Sequence, residues 1–463
     1  MGPPEELPES SPPESLPDSS PESLLQRLAL HRPELRAWAL YDWANSGFWA
    51  IMIASVFPIF FKSVAAAGDE SAIERYTFAT TASLLLVALL SPALGAIADF
   101  AGTKKRFLAG FIALGVVPTA AMFLVGEGDW ILAAVLFGVA NIGVAGSAMF
   151  ADALLPSIAK GRELDRVATS GFALGYLSGG LLIALAAWMT ASPESFGFAP
   201  AEGLSKTAAS LPARVMFVIT AGWWLVFSIP ILRRVPEPPR RLEPGERSDV
   251  HPIRAGLRRL RSTVAELRRH RQAFRLLIAF LIYNDGVLTI IRMAAIYGAE
   301  LGIGTADLIL AILLVQFVAV PCSMAFGWLA GRIGAQRGIL VSLGIYLVIC
   351  GFAWRMTTTT EYYVLAALVG TAQGGAQALS RSLFASLIPA HKSGEFFGLF
   401  GVLEKFAGVL GPAVFGIAVA WSGSSRPAML ALIAFFVVGG FLLMRVDVEE
   451  GRRTAREAEA AAA

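Results

Sequence analysis

Charge is scarce in this chain. Only 16% of its 463 residues are charged against 56% hydrophobic, and mean hydropathy is +0.62. A water-soluble protein carries about 25% charged residues, so lipid must be the solvent for most of this sequence. Net charge is only +3, which argues against nucleic acid as a partner. The two cysteines, Cys322 and Cys350, sit in apolar segments at no metal spacing and read as small core residues. All four histidines, His31, His251, His270 and His391, fall outside the apolar runs, which excludes an intramembrane histidine relay. The sequence shows no Walker loop, catalytic triad or zinc site, so no enzyme activity, metal or cofactor is expected. The N-terminus lacks a basic region leading into an apolar core, so no cleavable signal peptide is expected and the first membrane helix would serve as its own signal.

What is present is a series of apolar runs of about 20 residues, each long enough to span roughly 30 Å of hydrocarbon. Twelve are read: 37–61, 76–98, 106–125, 130–151, 168–189, 213–232, 274–297, 306–329, 338–357, 362–387, 397–421 and 427–446. The organisation is a tail over 1–36, six-helix halves over 37–232 and 274–446, a linker over 233–273 and a tail over 447–463. Residues 1–24 form a Pro-Glu-Ser tract that cannot bury enough apolar surface to offset its ordering, and the N-terminal tail is expected to be disordered. The linker holds thirteen arginines, counting Arg275 just beyond it, and no lysine. Within it, Ile253, Leu257, Leu260, Val264 and Leu267 recur at helical spacing, which predicts an amphipathic helix on the anionic membrane surface or a solvated basic connector.

Loop charges orient the bundle. Lys104, Lys105, Arg106, Lys160, Arg162, Arg166, Arg332, Arg337 and Lys392 occupy alternate loops, whereas the opposite loops carry Glu127, Asp129 and Glu300. Positive charge stays in the cytoplasm, so both termini are expected there, in a multi-pass protein of the cytoplasmic membrane.

One loop motif occurs twice, 232 residues apart: Gly95-x3-Asp99-x2-Gly102-x-Lys104-Lys105-Arg106, then Gly327-x3-Gly331-Arg332-x-Gly334-x2-Arg337. Downstream, Pro156 and Gly161 recur as Pro389 and Gly394, and Gly175 recurs as Gly408. Matched turns in two halves predict a duplicated helical bundle with its site between the repeats. Gly95 and Gly102 permit a tight turn, Asp99 can cap a neighbouring helix or pair with a base, and Lys104 holds the loop in the cytoplasm. The motif resembles the loop signature of the major facilitator superfamily. Phe100 departs from it where a basic residue is usual, and Gly331 replaces the acid in the second copy. An acid latch is therefore expected in the first half alone.

Polar groups inside the apolar runs mark candidate sites, since a centred Asp or Arg costs about 2.5–3.5 kcal/mol to insert. The first helix carries Tyr41, Asp42 and Asn45, with Asp42 and Asn45 on one face. The seventh carries Asn284 and Asp285, with Arg292 at i+7 from Asp285. Asn141 lies at mid-depth of the fourth, where it binds substrate or serves as helix glue. Gln373, Gln377 and Arg381 share a face of the tenth, and Glu404 and Lys405 lie in the eleventh. Similar depths predict an Arg381–Glu404 ion pair, structural or gating. Asp152, near the cytoplasmic end of the fourth helix, is expected to cap or pair rather than bind substrate. Gly171, Gly175 and Gly179 read as a close-packing stripe.

Tyr41-Asp42-Trp43-Ala44-Asn45-Ser46-Gly47-Phe48 resembles the first-helix signature of the vacuole-effluxer, autophagy-related branch of that superfamily. Ala153–Pro156, Tyr283–Gly286 and the stretches from Gln373 through Leu383 to Glu395–Gly398 extend the resemblance over residues 36–446, with Gly47 standing where Ala is commoner. The resemblance implies a twelve-helix, all-α membrane transporter and, from its fungal relatives, export of neutral amino acids. The residues are compatible with a zwitterion: Asp42 or Asp285 for its ammonium, and Arg292, Asn45 or Asn284 for its carboxylate. The same acids could instead carry a coupling proton. The expected function is alternating-access transport of a small polar metabolite by a monomer in the bilayer. The alternatives are a drug or lipid exporter of the same fold and a non-transporting membrane receptor or sensor.

Overall fold

The computed structural model describes residues 23–66, 72–200, 202–240, 251, 253–256, 258, 270–407, 410–422 and 425–462. Those residues contain helices and connections and no strand. In a bilayer each backbone N–H and C=O must be satisfied within the protein, and a helix does so within one segment. The membrane helices are α1 (Pro33–Phe48, continued through Trp49–Ala54, Val56–Phe60 and Phe61–Ala65), α2 (Ala72–Ala101), α3 (Lys104–Ala121), α4 (Trp130–Ile158), α5 (Arg162–Ala191) and α6 (Leu211–Arg234). The second set is α7 (Arg271–Glu300), α8 (Thr305–Ile333), α9 (Ala335–Arg355), α10 (Thr359–Ser386), α11 (Ser393–Phe406 and Leu410–Ser422) and α12 (Ser425–Ala431 and Ile433–Met444). A further helix, α13 (Val448–Ala461), follows.

Ten of these segments are long and apolar enough to cross a membrane. Two fall short, α10 because its interior holds Gln373, Gln377 and Arg381, and α11 because it breaks after Phe406. Both belong to the second half. The first helix passes both expected ends, running from Pro33 to Ala65 with wide turns at Trp49–Ala54 and Phe61–Ala65.

Packing repeats as the sequence does. In the first half α1 packs on α5 and α6, α3 on α4 and α6, and α2 on α4; in the second, α7 packs on α11 and α12, α9 on α10 and α12, and α8 on α10. Each contact maps onto its counterpart six helices later. The halves meet along two related seams, α2 with α11 and α5 with α8. Gly102 and Gly334, the last glycines of the two turn motifs, have φ of +63° and +87°, a backbone that side chains with a Cβ rarely adopt. Apolar side chains such as Leu89, Val117, Val348 and Trp421 stay exposed on the outside, as a lipid-facing surface requires.

One departure concerns the N-terminal tail. Residues 23–36 are not a disordered tail. Ser23 caps the turn Leu24–Arg27, Ser170 Oγ donates to the Leu28 carbonyl at 2.8 Å, and Arg32 donates to Glu163 at 2.6 Å. These contacts tie the segment to the start of α5; residues 1–22 lie outside those described. The C-terminal tail is α13, capped by Asp447, whose side chain accepts from the Glu450 N–H at 2.9 Å. Of the linker's apolar stripe only Ile253 is described; Leu257, Leu260, Val264 and Leu267 lie outside the described residues.

Candidate functional site: two inter-half clusters

Both clusters lie at the end of the bundle that bears the basic loops 2–3, 4–5, 8–9 and 10–11, called here the basic end. The first is the turn between α2 and α3. Gly95 meets α11 backbone to backbone: a Cβ there would stand 2.1 Å from the Gly394 carbonyl oxygen. That approach brings Asp99 to the first turn of α11, where the Glu395 N–H donates to Asp99 Oδ2 at 2.9 Å. A carboxylate there is favoured by the free N–H groups and the helix dipole. Lys104 Nζ lies 2.7 Å from Asp99 Oδ1, donates to Ser393 Oγ at 2.8 Å and reaches the Ala390 carbonyl at 3.4 Å. Ser393 in turn donates to the Ala153 carbonyl of α4 at 2.6 Å. Asp99 and Lys104 are buried, so this pair escapes most of the solvent screening that weakens surface ion pairs. Burial pushes the neighbouring Lys392 ammonium below the ordinary lysine range, against the opposing pull of Glu395 and Asp99. Phe100 carries Arg240 of the linker, whose guanidinium lies 4.4 Å from the ring centre and donates to the Phe100 carbonyl at 2.7 Å. Glu237 accepts from the Lys105 N–H at 2.9 Å.

The second cluster is built on Arg381 of α10. Its Nη2 donates to Asp42 Oδ2 at 2.6 Å and its Nη1 to Asp152 Oδ1 at 3.0 Å. The expected Arg381–Glu404 pair is therefore replaced: Arg381 reaches out of its own half to α1 and α4. Trp38 and Phe172 enclose the guanidinium, with ring centres 4.6 and 4.5 Å from its carbon. Cation–π contact of this kind favours a charge held away from water. Trp38 is itself fixed by donating to the Ala151 carbonyl of α4 at 2.7 Å. The glycine stripe of α5 makes room for the acid. A Cβ on Gly171 would lie 2.3 Å from Asp42 Oδ2, and one on Gly175 would lie 2.4 Å from Ser46 Oγ. Ser382, next to Arg381, donates to Asp165 of α5 at 2.6 Å, a further bond between the halves.

The other candidates are distributed around these clusters. Tyr41 is buried beside Ser147 and Trp224. Among the described residues no hydrogen-bond partner meets Asn45 Oδ1, Asn141 Nδ2 or Asn284 Oδ1, although all three side chains are buried. Gln373 and Gln377 are half-buried on α10. Asp285 is buried against α11, where a Cβ on Gly411 would lie 2.9 Å from its Oδ1, and it interacts electrostatically with Arg292. Tyr283 bonds Ser380 within the second half at 2.5 Å. The side chain of Lys405 lies outside those described.

The structure thus joins Asp42 and Arg381, which the sequence presents separately, and adds Trp38 and Phe172. Asp152 pairs, as expected from its place near the end of α4, and its partner is Arg381. Ser393 and Asp165 carry no comparable signal.

Comparison with known proteins identifies the family and the fold. Residues 69–164 and 160–456 match the family model described as vacuole effluxer Atg22 like. A Bacillus subtilis (strain 168) protein, described as the uncharacterized MFS-type transporter YxiO, is 36% identical over 420 residues, covering 89% of this chain and 94% of that one. Autophagy-related protein 22-1 of Phaeosphaeria nodorum is 27% identical over 447 residues, covering 84% and 78%. Among solved structures, the major facilitator transporter FucP in the outward conformation superposes with a TM-score of 0.63 at 14% identity, over 91% of this chain and 99% of that one.

Proposed function

The chain belongs to the Atg22-like family of major facilitator transporters, and from that premise we propose that it carries a small zwitterion, a neutral amino acid, by alternating access. The membrane is the cytoplasmic membrane, the basic end and both termini face the cytoplasm, and a proton is the coupling ion. One observation supports the reading above others: a single guanidinium in α10 holds carboxylates from α1 and α4 of the opposite half.

The cluster has a chemical consequence for opening. Separating the halves at the basic end pulls Arg381 from Asp42 and Asp152. Breaking a buried ion pair costs about 3–5 kcal/mol when its charges stay desolvated. A zwitterion brings both missing partners, a carboxylate for Arg381 and an ammonium for the two acids. It lowers the cost of separation without bringing net charge into the membrane. An uncharged sugar or an apolar drug supplies neither partner. Asn45 and Asn141 add buried amide groups with hydrogen-bonding capacity to spare on the same two helices as the acids, and Gln373 and Gln377 present theirs from the helix that holds Arg381. Asp99 and Lys104 act as the latch of the closed basic end, and Asp285 with Arg292 forms a second charged station for cargo or proton.

The test is uptake by purified protein in proteoliposomes, with a panel of neutral amino acids, their methyl esters and their decarboxylated amines. The expected result is uptake of at least one amino acid, competition only by molecules bearing both charges, stimulation by a proton gradient, and loss in Arg381→Ala. Transport of esters and amines equal to that of the amino acids would reject the zwitterion. Movement of amphiphilic cations or lipid alone would favour the exporter reading.

A further inference from the structure

The helix that follows α12 rests on both halves of the bundle. α12 hands over to α13 at an anchor made by two glutamines: Gln336 donates to the Leu443 and Val446 carbonyls at 2.8 Å each, and Gln272 accepts from the Asp447 N–H at 3.0 Å. Gln272 also donates to Glu450. From there α13 crosses the basic end. Gly451 and Ala455 are its buried positions, and a Cβ on Gly451 would lie 2.7 Å from Leu387 at the end of α10. One turn further, Glu459 Oε1 accepts from the Ala390 N–H at 2.9 Å, while its Oε2 lies 3.9 Å from Lys160 Nζ of loop 4–5. Arg452 interacts electrostatically with Asp165 of α5, the residue that accepts from Ser382.

Two features make these contacts more than a resting place. Ala390 is shared: its N–H serves Glu459 and its carbonyl faces Lys104 of the latch. Through that residue α13 is joined to the turn at Asp99. Second, the contacts divide between the halves. Gln272, Leu387 and Ala390 belong to the second half, whereas Lys160 and Asp165 belong to the first. Opening the basic end must therefore part Glu459 and Arg452 from Lys160 and Asp165, while the anchor at Gln272 and Gln336 stays in place. The Lys160–Glu459 contact is long and solvent-exposed on the lysine side, and therefore weak, as a releasable hold requires.

We propose that α13 is a strap in the same chain that secures the closed basic end and sets how readily the transporter opens there. This goes beyond the proposed cargo and does not depend on it.

A buried reporter tests the strap without substrate. Thr169 is 1% exposed on the α5–α8 seam, where a Cβ on Gly327 would stand 2.1 Å from its Oγ1, and it takes no part in the charged clusters. Thr169→Cys, in protein with Cys322→Ala and Cys350→Ala, is labelled with a soluble thiol reagent from the basic end. Two variants are compared with the full chain: one ending after Val446, and one carrying Arg452→Ala with Glu459→Ala. The double variant alters only partly exposed side chains, so it keeps the test decisive if the shortened chain does not fold. The strap predicts labelling about fivefold faster in either variant, the low end of measured coupling between sites. Rates equal to that of the full chain would overturn it. Because the readout needs no cargo, a failed amino-acid assay with accelerated labelling would reject the substrate and keep the strap.

Discussion

The two copies of the α2–α3 and α8–α9 turn share a glycine hinge and differ in what they hold. Both close on a glycine with positive φ, at Gly102 and Gly334. In the first copy Asp99 and Lys104 are buried and tied to α11 of the other half. In the second, Gly331 stands where the acid would be, and Arg332 is exposed and lies over Trp328 of its own helix, 3.7 Å from the ring centre. Duplication supplied two equivalent seams, and a single acid made one of them electrostatic. The Arg381 cluster breaks the repeat in the same way. At the 233-residue offset that relates Pro156 to Pro389, Arg381 stands opposite Ala148 and Asp152 opposite Ala385. The first half contributes the acids and the second the base, so their attraction falls between the halves and not within either.

The largest effect is expected at Arg381. Arg381→Ala leaves Asp42 and Asp152 desolvated without a partner, a loss of about 3–5 kcal/mol. Uptake should fall at least a hundredfold and labelling of Thr169→Cys should accelerate. Arg381→Lys keeps the charge and gives up the planar fork that spans two carboxylates, so it should recover only part of the loss. Full activity in Arg381→Lys would mean that charge alone matters.

The next largest effect separates the two turns. Asp99→Asn removes the buried ion pair and should speed labelling of the seam about tenfold, consistent with the loss of a buried charged partner. Arg332→Ala in the second copy should leave the rate within about twofold, since the group is solvated. Equal responses would erase the difference between the turns.

Sequence patterning made the helices and their duplication legible, because a bilayer demands long apolar segments and a repeated turn is visible as repeated glycines. It also marked Asp42 and Arg381, since charged groups inside apolar runs are conspicuous, and Asp99 through the repeated loop motif. Partnership was not legible. Depth pairs Arg381 with Glu404, but depth does not say which way a side chain leaves its helix. The acids that Arg381 meets are 339 and 229 positions away in the chain. The packing of α13 was not legible for a different reason. A short Glu- and Arg-rich segment offers no apolar run, and only two small residues, Gly451 and Ala455, form its buried face.

A smaller contrast concerns packing. Gly95→Ala places a methyl group 2.1 Å from the Gly394 oxygen, whereas a Cβ at Gly331 meets nothing within 4 Å. Forced separation of the α2–α11 seam should cost about 1–3 kcal/mol and lower the unfolding midpoint in detergent. Gly331→Ala should leave the midpoint unchanged or raise it slightly, because Ala suits a helix better. The smallest effect is expected at the linker. Arg240→Ala removes a cation–π contact worth about 0.5–1 kcal/mol and should change labelling by less than fivefold.

The central claim is that Arg381 and the first-half acids act as one inter-half unit, and a double-mutant cycle tests it most directly. Labelling of Thr169→Cys is measured in the parent, Asp42→Asn, Arg381→Gln and the double variant. The account predicts a coupling free energy of at least about 1 kcal/mol, with the double variant little different from Arg381→Gln alone. Effects that add to within about 0.5 kcal/mol would contradict it, because independent residues behave that way.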